Sequence, residues 1–231
     1  LTGKSALVTG ASGGIGGAIA TALHENGATV ALSGTRVEPL EELRNALGDR
    51  AHVTPAALDT PEGAAQLAKD AETALGQIDI LVNNAGLTRD GLAMRMKAED
   101  WDQVLAVNLT ASFKLSQAML RGMMKRRWGR IIAITSIVGV TGNGGQTIYT
   151  ASKAGLIGMS KSLAQEVSSR GITVNCIAPG PVFTPMVNRD GDMSDEARDR
   201  RRKSSLLEVE GTGWDIGNAG VFLCSDWARY I

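Results

Sequence analysis

Apolar positions along the chain gather into short runs, and each run is followed by a stretch whose apolar residues recur at helical spacing. The runs are "SALVT" near 5–9, "TVALS" near 29–33, "VTPAAL" near 53–58, "DILVN" near 79–83, "GRIIAIT" near 129–135 and "ITVNCIA" near 172–178. Six strand-then-helix units predict an α/β chain with a parallel sheet and helices on both faces. Crossovers in such units are right-handed, and ligands bind outside the carboxyl ends of the strands, where strand order reverses. No internal repeat, low-complexity tract or long linker divides the chain, so residues 1–231 are expected to form a single domain. One composition shift, "VNRDGDMSDEARDRRRKSS" at 187–205, is charged and poor in core residues. It reads most simply as a solvated loop and helix surface, with a functional lid as the alternative; residues 187–212 are assigned as a loop and helix segment on the substrate side.

Charge and composition narrow the function classes. Lys plus Arg and Asp plus Glu both count 24, so no global field draws nucleic acid or an anionic membrane, and a small neutral partner fits better. Cys176 and Cys224 sit in apolar surroundings without C-x-x-C spacing and are expected to be buried thiols in a reducing cytoplasm. His24 and His52 are far apart and near no Cys cluster, so no metal site is expected. No apolar run approaches the roughly 20 residues that span a bilayer, and residues 1–10 already follow a strand pattern, so a soluble cytoplasmic protein without a signal peptide is expected.

After the first run comes "TGASGGIGGAIA", in which Thr9, Gly10, Gly14 and Gly16 follow the spacing T-G-x-x-x-G-x-G between strand and helix. Glycines there permit positive φ and close approach of a ligand, while the helix N-terminus presents unpaired N–H groups to a pyrophosphate. A dinucleotide site is the functional reading; a turn using glycine for geometry alone is the alternative. At the end of the second run, an acidic side chain would favour a free ribose 2′-hydroxyl and an Arg a 2′-phosphate. The chain has Ser33, Gly34, Thr35 and Arg36 and no carboxylate, so NADP(H) is favoured over NAD(H).

"YTASK" places Tyr149 four residues before Lys153 in a helical pattern, so the two side chains share one face. A nearby ammonium favours phenolate, which brings a proton donor of pKa about 10 toward working pH. The alternative is an ordinary i,i+4 polar pair on a helix surface.

These motifs, with "NNAG" at 83–86, "VNL" around Asn108, Ser136 in "ITSIVG" and "PGPVFT" at 179–184, stand in an order that resembles the short-chain dehydrogenase/reductase family. The resemblance implies one doubly wound Rossmann-type domain and hydride transfer between NAD(P)H and a carbonyl or alcohol. It implies that Tyr149 is the general acid, that Ser136 orients and polarises the carbonyl, and that Lys153 binds the nicotinamide ribose and lowers the phenol's pKa. Asn108 would hold a water linking Lys153 to solvent. For the cofactor, Gly10, Ser12, Gly14, Ile15 and Gly16 match the pyrophosphate turn, Thr35 and Arg36 the 2′-phosphate site, and Asp59 the adenine contact. Asn84 and Gly86 would line the cofactor channel, and Pro179, Gly180, Val182 and Thr184 the nicotinamide side, Thr184 holding the carboxamide.

Within the family, residues from about 1 to 180 most resemble the 3-oxoacyl-[acyl-carrier-protein] reductases. That likeness implies a 3-oxoacyl thioester substrate, a homotetramer or homodimer, and docking of an acidic carrier protein beside the active site on Arg127 and Arg170. Gly13 and Gly17 stand where this subgroup usually has arginines, and the stretch from about 181 looks more like other family members. Relatives continue through a final strand, which is expected to be missing from a chain that stops at Ile231. A dehydrogenase of another small alcohol, ketone or sugar, and a non-catalytic cofactor-binding scaffold, stay open as alternatives.

Overall fold

The computed structural model describes residues 1–184 and 194–231, apart from the side chains of Pro61 and Arg201. Six strands form one sheet: β1 (Ser5–Val8), β2 (Thr29–Leu32), β3 (Ala51–Val53), β4 (Ile80–Asn83), β5 (Gly129–Ile134) and β6 (Ile172–Ile177). Their spatial order is β3-β2-β1-β4-β5-β6 and every pairing is parallel. The helices are α1 (Gly14–Glu25), α2 (Val37–Leu47), α3 (Pro61–Leu75), α4 (Ala98–Leu105), α5 (Ala111–Arg126), α6 (Val138–Thr141), α7 (Thr147–Val167), α8 (Asp195–Lys203) and α9 (Gly213–Cys224).

Successive side chains of a strand point to opposite faces, and the two faces of this sheet bury two separate cores. Ala6, Val8, Val30, Leu32, Ile80 and Val82 meet Ile19 and Leu23 of α1 and Ile216 of α9. Leu7, Ala31, Leu81 and Ile131 face the other way, onto Leu67 and Ala71 of α3, Leu115, Met119 and Met123 of α5 and Val167 of α7. This is why the strands read as continuous apolar runs. On the first face α9 rides close on α1 because Gly213 and Gly217 carry no side chain: a Cβ would lie 2.8 Å from the Gly14 carbonyl oxygen or 3.0 Å from that of Ala18.

Two expectations shift. The third strand is Ala51–Val53, N-terminal to the run "VTPAAL". Its backbone nevertheless keeps tracking β2, since the N–H groups of Thr54 and Ala56 donate to Leu32 and Gly34 (2.9 and 3.0 Å), while Pro55 between them is exposed at the sheet edge, where its missing N–H costs no ladder bond. Cys224 is buried, but Cys176 on the edge strand β6 is only partly so. The segment 187–212 falls in part on residues 187–193, which lie outside the described residues; its remainder contains α8, an exposed charged helix tied by Arg198 to Glu210 and by Arg202 and Lys203 to Asp199. No helix among the described residues is long and apolar enough to cross a membrane.

Strand order reverses between β1 and β4, so the loops leaving their carboxyl ends diverge to opposite sides and open a crevice.

Candidate active site

The glycine turn occupies one wall of that crevice. Gly10 has φ of +67°, and a Cβ on it would lie 2.7 Å from the Asn84 side-chain nitrogen. A Cβ on Gly16 would lie 2.2 Å from the Gly10 carbonyl oxygen. Thr9 and Asn84 lock the turn to the loop after β4: Thr9 Oγ1 donates to the Val82 carbonyl and accepts from the N–H groups of Asn84 and Ala85, both at 3.0 Å, while Asn84 Nδ2 donates to the Thr9 carbonyl at 2.8 Å. Helix α1 then starts at Gly14 with Gly13 as its N-cap, no capping side chain, and no acidic residue in the first turn. Its leading N–H groups and partial positive charge are left for an anion, so these residues fit a dinucleotide pyrophosphate.

Arg36 stands over this turn: its Nη2 donates to the Ser12 carbonyl at 2.7 Å, although Arg36 is also the N-cap residue of α2. Thr35 and Arg36 are both exposed. Gly34 packs beneath them, where a Cβ would lie 2.8 Å from Ser12 Oγ and turn that hydroxyl aside. Asp59 is exposed just ahead of α3 and makes no hydrogen bond among the described residues.

The opposite wall carries the proton-handling groups. Tyr149 lies in the first turn of α7 and Lys153 one turn later, its Nζ 5.6 Å from the Tyr149 ring centre. Lys153 is 3 % exposed and donates to the Ile134 carbonyl at 2.7 Å. Burial pushes its ammonium down to about 8. Ser136, on the loop after β5, faces the Tyr149 phenol and favours its ionised form. The phenol is nonetheless raised above the ordinary tyrosine value, first by burial and further by the Asp90 carboxylate. In the free protein burial therefore outweighs any lowering of the phenol, and Lys153 bonds a main-chain carbonyl.

Asn108 is fully buried within a π-helical turn, Ala106–Thr110, that interrupts the passage from α4 to α5. Such turns widen the backbone ladder and recur at functional sites. Its Oδ1 accepts from the Leu87 N–H at 2.9 Å; its Nδ2 donates to the Leu87 carbonyl and to Ser152 Oγ, both at 3.0 Å. Ser152 Oγ donates in turn to the Tyr149 carbonyl at 2.7 Å. Gly86 closes the assembly, because a Cβ there would lie 3.3 Å from Asn108 Oδ1 and 3.5 Å from Lys153 Nζ. Pro179, Gly180, Val182 and Thr184 come after β6; the Pro179 carbonyl accepts from the Ile137 N–H next to Ser136 at 3.0 Å, and Val182 pairs with Gly211.

Tyr149, Lys153, Ser136, Asn108 and Gly86 are therefore brought together, and Gly10, Ser12, Gly14, Ile15, Gly16, Asn84 and Arg36 form the adjoining turn. Arg127 and Arg170 are brought together too, with Arg127 Nη2 donating to the Ser169 carbonyl at 3.0 Å. Both, however, precede a strand, on the rim opposite the crevice. Helix α7 runs its 21 residues between the two rims, which puts Arg170 ~30 Å from Tyr149 at 1.5 Å per residue. Within one chain the two arginines therefore lie away from the phenol, because helices descend antiparallel to the strands and residues just before β5 and β6 end at the opposite edge. Sequence reading missed Ser152, the Leu87 backbone and the Ile134 carbonyl. Ser152 lies inside "YTASK", but nothing local says that its hydroxyl faces Asn108. Gly139 was missed as well; a Cβ there would press to 3.0 Å on Lys153.

A model of the short chain dehydrogenase family matches residues 4–195. Nodulation protein G of Rhizobium sp. (strain N33) is 52% identical over 235 residues, covering 100% of this chain and 93% of the relative. The 3-oxoacyl-[acyl-carrier-protein] reductase FabG of Rickettsia bellii (strain RML369-C) is 49% identical over 231 residues, with the same coverage. That of Escherichia coli (strain K12) is 47% identical over 233 residues, covering 99% of this chain and 93% of the relative. The likeness to these reductases spans the whole chain and does not stop near residue 180.

Proposed function

The chain belongs to the short-chain dehydrogenase/reductase family and is an NAD(P)-dependent oxidoreductase, and on that premise we propose that it reduces the keto group of a 3-oxoacyl thioester with NADPH. One juxtaposition carries the reading: the Tyr149 phenol, faced by Ser136, stands beside a buried Lys153 at the strand-tip crevice whose other wall is an uncapped glycine turn.

The dinucleotide, when bound, supplies the hydride. Tyr149 delivers the proton to the carbonyl oxygen as negative charge builds there, and Ser136 donates a second hydrogen bond to the same oxygen. A phenol held above its ordinary pKa is in the protonated state that reduction needs. Lys153, largely an ammonium at neutral pH with a pKa of about 8, supplies the charge that offsets the phenolate left behind. The Asn108 side chain clamps Leu87 and Ser152 and so fixes the floor beneath both. Gly10, Ser12, Gly14, Ile15 and Gly16 would hold the pyrophosphate, with Asn84 and Gly86 lining the channel, Asp59 at the adenine and Thr184 at the carboxamide. The preference for NADPH rests on Arg36, anchored over the Ser12 carbonyl, with no carboxylate among residues 33–36. An acidic carrier held by Arg127 and Arg170 would serve a phenol across a subunit boundary, in the dimer or tetramer, because its own chain's phenol is ~30 Å away.

The test follows NADPH absorbance with acetoacetyl thioester, simple ketones and sugars. Oxidation with the thioester is expected, and Tyr149→Phe should abolish turnover while NADPH affinity stays nearly unchanged, since only the proton is lost. Turnover retained by that variant removes Tyr149 from its role, and cofactor binding without turnover on any substrate favours a scaffold.

A further inference from the structure

Helix α7 starts in an unusual way. Its N-cap residue, Gln146, makes no side-chain bond to the helix's own leading N–H groups. The Gln146 amide instead reaches away from the helix: Nε2 donates to Asp90 Oδ2 at 3.1 Å and Oε1 accepts from Asn143 Nδ2 at 2.9 Å. Beside this bond the Gly91 N–H donates to the Gly145 carbonyl at 2.8 Å. Two loops that flank the crevice, one leaving β4 and one entering α7, are thereby fastened together three residues before Tyr149. Nothing in the proton-transfer reading uses this fastening.

Asp90 also carries a charge that no ion pair offsets among the described residues. Its sequence neighbour Arg89 is turned to Asp100 (3.4 Å) and Gln103 (3.0 Å). Among the described residues the groups facing the phenol include Lys153 from its own helix, fixed on the Ile134 carbonyl, Asp90 from the loop after β4, and the neutral Ser136 from the loop after β5. The Asp90 carboxylate opposes phenolate.

We propose that Asp90 is a positioning residue for Tyr149: it pins the start of the catalytic helix through Gln146, and the same bond fixes its unpaired carboxylate against the helix turn that carries the phenol. The inference rests on Tyr149 being the acid. It also predicts where the pH limbs fall, because a carboxylate that opposes phenolate keeps the acid form for reduction to higher pH and delays the base form that alcohol oxidation needs. Asp90 raises the phenol in the free protein, in agreement with this sign.

The experiment oxidises 3-hydroxybutyryl thioester with NADP⁺ across pH. Removing the negative charge in Asp90→Asn should move the acidic limb of kcat to lower pH and, below that limb, raise oxidation about threefold, the size expected for an exposed carboxylate acting at short range through partly screened surroundings. Asp90→Glu should return the limb toward its original place, and high salt should move the unmodified protein toward the Asn variant. Gln146→Met, which keeps the charge and cuts the tie, should lower kcat several-fold with little change in KM. A second readout needs no turnover: the chain has two tyrosines, so in a Tyr230→Phe background ultraviolet phenolate titration reports Tyr149 alone. There Asp90→Asn should lower the midpoint. An unmoved limb together with an unmoved midpoint overturns the charge role, and an unchanged kcat in Gln146→Met overturns the tie. If Tyr149→Phe stays active, the acid assignment itself fails; if it is dead while Asp90→Asn changes nothing, only the role of Asp90 fails.

Discussion

Lys153→Met gives the sharpest physical test of the site, because it can be read without any substrate. The ammonium is 3 % exposed, and burial lowers its pKa from 10.5 to about 8. An unfolded chain keeps the proton up to about pH 10.5, so between about pH 8 and that value the unfolded state binds more protons and stability rises with pH. At about 1.4 kcal/mol per pH unit, the displacement corresponds to ~3 kcal/mol across that window. Below about pH 8 the folded state carries the full desolvation penalty; above about pH 10.5 the penalty is gone. Methionine fills similar volume without charge, and it loses the bond to the Ile134 carbonyl, which a neutral amine still makes, so that loss is a constant offset. Cys224 works in the opposite sense, since burial pushes its thiol from 9.0 to about 12 and stability falls as the unfolded thiol ionises. Both proteins share it, and it cancels in their difference. Urea unfolding at a series of pH values should therefore show the stability of the unmodified protein rising by ~3 kcal/mol relative to Lys153→Met between about pH 8 and about pH 10.5. A difference that stays flat over this range refutes the reasoning that Lys153 is a desolvated ammonium.

Two further outcomes are expected. Arg36→Ala should weaken NADPH by ten-fold or more, about 1.4 kcal/mol, and NADH little, measured by cofactor titration; equal losses defeat the 2′-phosphate assignment. Gly16→Ala should lower stability by about 1–3 kcal/mol and weaken dinucleotide binding, because the new methyl must displace the Gly10 carbonyl from 2.2 Å, checked by urea unfolding and by the same titration.

The order of elements was legible in the sequence because strands buried on both faces must be apolar throughout, and helices packed on one side must repeat near 3.6. For the same reason the glycine turn and the Tyr149 and Lys153 pair could be read directly: each is a local device whose parts lie within one turn or one strand-to-helix passage. The third strand was misplaced by a few residues, since "VTPAAL" is more apolar than Ala51–Val53 while an edge strand needs little apolar content.

Tertiary structure alone decided what the local pattern could not carry. That Ser136, Asn108 and Gly86 gather around Tyr149 and Lys153 depends on the loops leaving β4 and β5 and on the π-helical turn between α4 and α5 reaching the same rim. Burial of the Lys153 ammonium, the rise of the phenol and the counter-charge of Asp90 are properties of surroundings assembled from four elements, so the sign of the Tyr149 shift could not be read from a spacing of four residues. Arg127 and Arg170 show the same limit from the other side. Their chemistry was visible as letters, but which rim they occupy is set by helices running back against the strands. The sequence by itself settled which groups are available and which local turns they make, because propensity and periodicity act over a few residues; distance, desolvation and orientation were left to the fold, because they depend on neighbours far away in the chain.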